Sequence, residues 1–320
     1  MITLKEENQF KVAVVQAGSE VMDKKKGVNK AVRLIDEASQ EGAKIIVFPE
    51  AFIPAYPRGM SFGTVVGSRS EEGRKDFLQY WKNSITVPST ETEEIGRAAK
   101  KAKAYVIIGV IEKDREPSNG TLYCTALFFG PDGGLLGKHR KLKPTGSERL
   151  IWGEGDGSTL PVFDTPYGRI GALICWENYM PLARAAMYDK GVQIYITPTA
   201  DARDTWFSTV RHVALEGRCF VLSSNQYSNK DMYPAYISSR EEFKDLPHEL
   251  SRGGSCIVDP LGEFVVDPVF GKEKILYANI DLNKIAEAQF DFDVVGHYAR
   301  PDVFQLTVNE QEQKSTIWKK

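Results

Sequence analysis

Residues 168–178 read GRIGALICWEN, and the rest of the chain can be organised around this stretch. Gly171 to Cys175 are all small or apolar, which predicts a buried β-strand. The run ends at a thiol, and polar residues and Pro181 follow, as at a strand-to-helix turn. Ligands of open α/β sheets bind beyond the carboxyl ends of strands, so Cys175 is well placed for chemistry. The alternative is a packed, inert cysteine, because free cysteine is among the most buried residue types.

The N-terminal segments predict a strand–helix–strand unit. Strands are expected over residues 10–17 and 44–50, and the intervening helix places one apolar face inward, made of Val28, Ala31, Val32, Ile35 and Ala38. Such a unit predicts parallel strand pairing, with helices packed on the sheet. Further strands are expected over residues 105–111, 122–129, 192–197, 219–224 and 275–280, with hairpin turns at 132–134 and 260–262.

Alternating strand and helix signals with hairpins among them favour an α/β fold with a mixed sheet. Thr90 and Glu93 are expected to form a capping box at a helix start. Residues 227–252 are polar and are interpreted as a long surface loop. No linker or repeat is visible, so we expect a single domain over residues 1–320, with a core from about 10 to 303 and a short polar C-terminal tail. Periodicity alone leaves open whether there is one sheet or two.

Composition excludes several classes of protein. The chain has 320 residues, 42% hydrophobic and 26% charged, with a net charge of −2, so it lacks the basic surplus of nucleic-acid binders. No apolar run approaches the length of a membrane span, and the first eight residues are too polar for a signal peptide. The four cysteines lie far apart without a CxxC pair, which argues against a zinc site and a disulfide framework. A reduced, cytoplasmic setting is therefore expected.

Two other stretches carry candidate chemistry. Glu50 ends the expected strand at 44–50, as Cys175 ends its own, although it could be a solvated strand-end carboxylate. Residues 138–143 contain five basic side chains, and a solvated basic loop is the alternative for them. An ammonium group beside a thiol stabilises its thiolate, and a carboxylate can accept its proton. A nucleophile, a base and a cation around one pocket would form a covalent catalyst.

These residues also resemble a known family. Phe48-Pro49-Glu50, His139-Arg140-Lys141 and Cys175-Trp176-Glu177-Asn178 look like the three motifs of the nitrilase superfamily, in order. The resemblance runs from about residue 11 to 303 and is closest to true nitrilases, including plant-type nitrilases and their bacterial relatives, because Cys-Trp-Glu-Asn is typical of that branch. It implies a four-layer α-β-β-α sandwich with two mixed β-sheets, and no metal or organic cofactor. It also implies a homodimer or a larger homo-oligomer or spiral, although the tail after Thr307 is shorter than the extensions that influence filament growth in many nitrilases.

The resemblance also implies roles for particular residues. Cys175 would attack a nitrile carbon, Glu50 would accept the thiol proton and activate water, and Lys141 would stabilise developing negative charge. Glu148, seven residues after the lysine, matches a second glutamate of the family that orients the lysine or relays protons. By their position beside the motifs, five residues are expected to line the substrate pocket: Tyr56, Trp176, Glu177, Thr199 and Trp206. His139 is expected to support Lys141, and the other three cysteines to be packed strand residues.

The sequence therefore predicts a nitrilase that hydrolyses an organic nitrile, as in nitrile catabolism, to the carboxylic acid and ammonia through a thioimidate and a thioester. An amidase or carbamoylase using the same site is one alternative, and hydration of a nitrile, cyanide or cyanoalanine is another. A non-catalytic binding protein is disfavoured because Glu50, Lys141 and Cys175 are all present. The sequence does not identify the nitrile.

Overall fold

The computed structural model describes residues 9–114, 119–314 and 316–317. The first eight residues, which are too polar to be expected to form a signal peptide, lie outside the described residues. The first half of the chain contains the predicted strand–helix–strand unit and an antiparallel meander. Its elements are β1 (Gln9–Gln16), α1 (Lys24–Gln40), β2 (Ile45–Val47), β3 (Thr64–Val65), β4 (Ser68–Arg69), α2 (Glu71–Asn83), β5 (Ile85–Thr86), α3 (Thr90–Ala102), β6 (Tyr105–Lys113), β7 (Leu122–Phe129) and β8 (Leu135–Arg140).

The second half repeats this mixture of strands and helices. Its elements are β9 (Val162–Thr165), β10 (Gly168–Ala172), α4 (Pro181–Asp189), β11 (Ile194–Thr199), α5 (Thr205–Gly217), β12 (Phe220–Asn225), β13 (Tyr227–Asn229), α6 (Ala235–Ser238), α7 (Glu241–Lys244), β14 (Glu249–Val258), β15 (Phe264–Phe270), β16 (Lys274–Asp281) and α8 (Asn283–Asp291).

Each half of the chain builds most of one mixed sheet. The first sheet has the order β16-β1-β2-β6-β7-β8, with β5 also paired to β6. Strands β1, β2 and β6 are parallel, as the strand–helix–strand pattern predicted, and the flanking pairs are antiparallel. The second sheet has the order β13-β14-β12-β11-β10-β9, with β15 also paired to β14 and β10, β11 and β12 parallel.

The two sheets pack face to face between two layers of helices. Along β1, Val12 and Val14 belong to the central core, which contains residues of both sheets, whereas Ala13 and Val15 pack under the helices. This alternation follows from the two-residue period of a strand whose two faces are both buried. Helices α1 and α3 cover the first sheet, and α4 and α5 cover the second. The predicted four-layer α-β-β-α sandwich is confirmed.

Two sequence-based expectations about local structure are wrong. Helix α3 is capped by Ser89, whose Oγ accepts a hydrogen bond from the N–H of Thr92, while the Thr92 hydroxyl accepts one from the N–H of Ser89. The capping box is therefore one residue earlier than Thr90 and Glu93. Residues 227–252 are not an irregular loop but contain β13, α6, α7 and the start of β14. This segment contains a small apolar cluster of its own, formed by Tyr233, Ile237 and Phe243. The mostly polar sequence of the segment did not indicate it.

Candidate active site

Cys175 lies in a strained turn just beyond strand β10. The strand ends at Ala172, three residues earlier than the apolar run suggests, and Cys175 begins a 3₁₀ turn with φ +52°. That left-handed conformation is unfavourable for a residue with a Cβ and is common where a site fixes a side chain. The Asn178 side-chain amide donates to the carbonyls of Leu173 (2.9 Å) and Cys175 (2.8 Å), which holds the turn.

Glu50 lies three residues beyond strand β2, on a segment that crosses β6 very closely. A Cβ added at Gly109 would lie 2.2 Å from the Pro49 carbonyl oxygen, so only glycine permits this approach. The Gln226 side chain, from the second sheet, donates to the Glu50 carbonyl over 2.8 Å. The base is thus anchored by both sheets.

Lys141 follows β8 directly and is fully buried. Its backbone N–H donates to the Cys124 carbonyl (2.8 Å). Its ammonium group donates to Oε1 of Glu50 (2.6 Å) and to Oε2 of Glu148 (2.8 Å). The other oxygen of Glu148 accepts from the Tyr56 hydroxyl over 2.8 Å. One lysine therefore bridges two carboxylates.

Burial and charge set the protonation of this group. Burial raises the pKa of Glu50, and the charge of Lys141 opposes that rise. Burial alone would lower the pKa of Lys141, but Glu50 and the neighbouring groups raise it well above its usual value, so the lysine is cationic. Oε1 of Glu50 accepts from Lys141 and, over 3.5 Å, from the Cys124 thiol. Oε2 is buried without a hydrogen-bond partner within the described residues, which leaves it free for proton transfer.

The thiol of Cys175 is protonated in the resting site. Burial and the Glu50 charge raise its pKa to about 12, outweighing Lys141 and the hydrogen bonds from Thr199 and the Ala200 backbone. The Thr199 hydroxyl donates to Sγ over 3.1 Å and accepts from the N–H of Asp201 over 3.0 Å. Lys141 does lower the pKa of Cys175, as a neighbouring ammonium should, but burial and the Glu50 charge outweigh it. A base must remove the proton during the reaction.

A cavity of about 410 Å³ opens over Cys175. Tyr56 and Trp176 line it, whereas Thr199 is buried and contacts Sγ of Cys175 through its hydroxyl. The other lining residues come mainly from the loop after β11 and the start of β14: Arg58, Thr145, Glu148, Ala200, Asp201, Ala202, Arg203, Glu249, Leu250, Ser251 and Arg252. The last four of these belong to the segment 227–252, which was expected to be a long surface loop.

Three of the five residues that the sequence assigned to the pocket do not line this cavity: Thr199, Trp206 and Glu177. Trp206 is fully buried under the second sheet, where its indole N–H donates to the Ser223 hydroxyl over 2.9 Å. Glu177 is also buried, and its carboxylate accepts from His139 and from two backbone N–H groups behind the Cys175 turn. Trp206 and Glu177 were assigned to the pocket because they lie near a motif in the sequence. Successive side chains of a turn point in different directions, so that assignment was wrong for both residues.

Sequence reasoning missed Cys124 as a member of the site. It was expected to be only a packed strand residue, yet its thiol lies against Glu50. The cavity-lining arginines were missed as well; Arg203 pairs with Asp201 over 2.6 Å, and Arg58 donates to the Ala200 carbonyl. The sequence did carry one indication that Arg58 lines the cavity, which is its position two residues after Tyr56.

No group of three or more His, Cys, Asp or Glu side chains is arranged to hold a metal ion in the part of the chain that the structure describes. Among the same residues, no helix is long and apolar enough to cross a membrane.

Comparison with known proteins adds independent evidence. A family model described as carbon-nitrogen hydrolase matches residues 11–290. An aliphatic nitrilase of Sinorhizobium fredii is 54% identical over 97% of this chain and 98% of its own length. A bifunctional nitrilase/nitrile hydratase of Lupinus angustifolius is 50% identical over 94% of this chain and 86% of its own length.

Solved structures show the same architecture. The crystal structure of Nit3 of Saccharomyces cerevisiae, a member of branch 10 of the nitrilase superfamily, superposes with a TM-score of 0.71 at 25% identity. The match covers 91% of this chain and 96% of the yeast chain.

Proposed function

This chain belongs to the carbon-nitrogen hydrolase family, and we propose that it is a nitrilase whose reaction runs through Cys175, Glu50, Lys141 and Glu148. The enzyme converts an organic nitrile to the carboxylic acid and ammonia. One observation carries the assignment of roles: the Cys175 thiol borders a cavity, and the charges of Glu50 and of its hydrogen-bonded partner Lys141 act on that thiol, while one oxygen of Glu50 has no hydrogen-bond partner among the described residues.

In the first step the sulfur attacks the nitrile carbon. The Cys175 proton passes to Oε2 of Glu50 and then to the nitrile nitrogen, as a carbon–sulfur bond forms and one carbon–nitrogen π bond breaks. The product is a thioimidate on Cys175. Lys141 stabilises the negative charge that develops on the nitrogen, and the backbone N–H of Trp176, next to the nucleophile, is proposed as a second donor.

Two waters complete the reaction. Glu50 accepts a proton from the first water as it adds to the thioimidate carbon, and protonation of the nitrogen lets ammonia leave when the carbon–nitrogen bond breaks. The resulting thioester is hydrolysed by a second water, which releases the carboxylic acid and restores the thiol. Glu148 and Tyr56 act by holding Lys141, through the hydrogen bonds described above.

Amide release is a second outcome of the same chemistry. The lupin relative is named for both nitrilase and nitrile hydratase activity. If the carbon–sulfur bond of the tetrahedral adduct breaks before the carbon–nitrogen bond, the product is the amide and the thiol is restored. We propose that this partition, rather than a different site, separates the two activities.

The remaining assignments are also proposals. We infer one domain, and a homodimer or larger homo-oligomer that pairs through α4 and α5, because Leu182 (68% exposed) and Leu215 (40%) leave apolar surface there. All four cysteines are free, which is consistent with a reduced, cytoplasmic setting. The C-terminal tail contacts the body of the protein through Gln313, whose N–H donates to Asp156 over 2.7 Å.

The function is tested by measuring ammonia, acid and amide from a panel of nitriles and the matching amides. We expect ammonia and acid from nitriles, and loss of both in Cys175→Ala. Cys219→Ala is the matched control, because Cys219 is also buried and free but faces only the Val213 carbonyl. Ammonia from amides alone would instead assign the chain to an amidase or carbamoylase. A Cys175→Ala enzyme as active as the Cys219→Ala control would refute the assignment of Cys175 as the nucleophile.

A further inference from the structure

Behind the nucleophile lies a buried carboxylate that the reaction does not use. Glu177 is 1% exposed and accepts four hydrogen-bond contacts. They come from the N–H of Ile174 (2.5 Å), the N–H of Leu142 (2.6 Å) and, at both oxygens, Nε2 of His139 (2.9 and 3.1 Å). We call this arrangement the Glu177 clamp.

The clamp is an ion pair as well as a set of hydrogen bonds. Nε2 of His139 faces the Glu177 carboxylate and Nδ1 faces the Thr159 carbonyl, and both of these groups can only accept. Burial would lower the pKa of His139, but Glu177 and the Thr159 carbonyl raise it above its usual value. An imidazolium between two acceptors satisfies the geometry, and the same charge compensates a carboxylate that would otherwise be buried alone.

The two backbone donors identify what the clamp holds together. Leu142 directly follows Lys141, and Ile174 directly precedes Cys175. Lys141 comes from the end of β8 in the first sheet, whereas Cys175 follows β10 in the second. One carboxylate therefore fixes the separation between the two chain segments that carry the lysine and the nucleophile, without lining the cavity.

We propose that Glu177 is a positioning residue which, with His139, holds the strained Cys175 turn in register with Lys141 and its bound Glu50. The proposal rests on the proposed function only in taking these three as the reacting groups. The turn needs such support, because the positive φ of Cys175 is a strained conformation that persists only where the surroundings enforce it.

The chain offers a matched control for a purely structural role. Glu112 is equally buried, and it is held by Arg140 (2.7 Å), Lys138 and the Thr125 hydroxyl (2.9 Å). Its hydrogen bonds come from side chains of β7 and β8, including Arg140 next to Lys141, whereas the backbone N–H groups of Leu142 and Ile174 bond to Glu177. Replacing Glu112 by Gln disturbs a comparable buried ion pair while leaving the Cys175 turn untouched.

The test compares Glu177→Gln with Glu112→Gln in three measurements: thermal stability, nitrile turnover, and the rate at which iodoacetamide alkylates Cys175. We expect Glu177→Gln to lower kcat and the alkylation rate by about 10-fold each with little change in KM, since a charged hydrogen bond is lost. Glu112→Gln should change both rates less than about 3-fold at a similar loss of Tm. In Glu177→Gln the new amide N–H groups face other donors, so this variant can fail to fold. His139→Gln is therefore the second variant, and it should lower kcat and the alkylation rate by a smaller factor.

Equal kinetic losses in Glu177→Gln and Glu112→Gln at equal loss of Tm would overturn the proposal. So would a wild-type alkylation rate in a folded Glu177→Gln or His139→Gln enzyme. Alkylation requires no nitrile, so failure of the proposed nitrilase activity and failure of the clamp give different results.

Discussion

The ammonium nitrogen of Lys141 lies 2.6 Å from Oε1 of Glu50, and neither side chain is exposed to solvent. Lys141 thereby occupies one oxygen of Glu50, whereas Oε2 has no hydrogen-bond partner among the described residues. In the proposed reaction, Oε2 takes the thiol proton and the Lys141 cation stabilises the negative charge on the substrate nitrogen.

Removing this cation should harm both catalysis and stability. Lys141→Met leaves Glu50 and Glu148 facing each other without their cation, so we expect loss of nitrile turnover and a fall of about 3–5 kcal/mol in the free energy of unfolding. Ammonia release and urea unfolding measure the two effects. Adding Glu148→Gln should recover stability but not activity, because it removes one of the two unpaired carboxylates. Lys143→Met, at an exposed pair with Glu154, is the control and should match wild type in both.

We expect Tyr56 to contribute to catalysis through its hydrogen bond to Glu148 rather than through the size of its ring. Tyr56→Phe keeps the ring in the cavity wall and removes only the hydroxyl that donates to Glu148 (2.8 Å). We expect kcat/KM to fall by about 10-fold, the effect of one hydrogen bond to a charged group. The control is Tyr188→Phe, which removes a similar bond to Glu216 (2.9 Å) away from the site. Similar kinetics in the two variants would contradict a role for the Tyr56 hydroxyl.

The Thr199 hydroxyl should orient the nucleophile. Thr199→Val preserves shape but removes the donor to Sγ and the acceptor for the Asp201 N–H. We expect about 10-fold lower kcat, and Thr199→Ser should restore it because serine supplies the same oxygen. Steady-state kinetics on one nitrile suffice. Val and Ser variants with the same kcat would show that packing, not the hydroxyl, matters at this position.

The rate at which Cys175 is alkylated in the resting enzyme should depend on pH as it does for a protonated thiol. It should not depend on pH as it would for a thiolate already paired with Lys141. The pKa of Cys175 is raised to about 12, so its thiolate fraction rises about tenfold per pH unit throughout the neutral and alkaline range. The rate of iodoacetamide labelling should therefore keep rising from pH 7 to pH 10. A plateau below pH 8 would contradict this assignment.

Among the four cysteines, Cys175 should still be labelled first. The reason is access, because Cys175 borders the cavity, whereas Cys124, Cys219 and Cys256 are almost completely buried and do not line it. Peptide mapping after brief labelling distinguishes the sites, and equal labelling of all four would show that the cavity does not expose Cys175.

Much of this protein was predictable from its sequence because local patterns carried the information. Apolar strands alternating with an amphipathic helix predicted the parallel unit formed by β1, α1 and β2. The strand ends and the three motifs identified Glu50, Lys141 and Cys175 as candidates before their proximity was known. The same reasoning misplaced Glu177 and Trp206, since position in the chain does not give the direction of a side chain in a turn.

What the sequence by itself determined was the set of strands and helices and the chemical types available to the site. The tertiary structure alone decided that Cys124 lies against Glu50 and that Glu177 links the lysine and cysteine segments. It also decided that the resting nucleophile is a thiol, because burial and the Glu50 charge act against Lys141. The physical reason is that periodicity follows from neighbours along the chain, whereas proton affinity and contact depend on groups that meet only after folding.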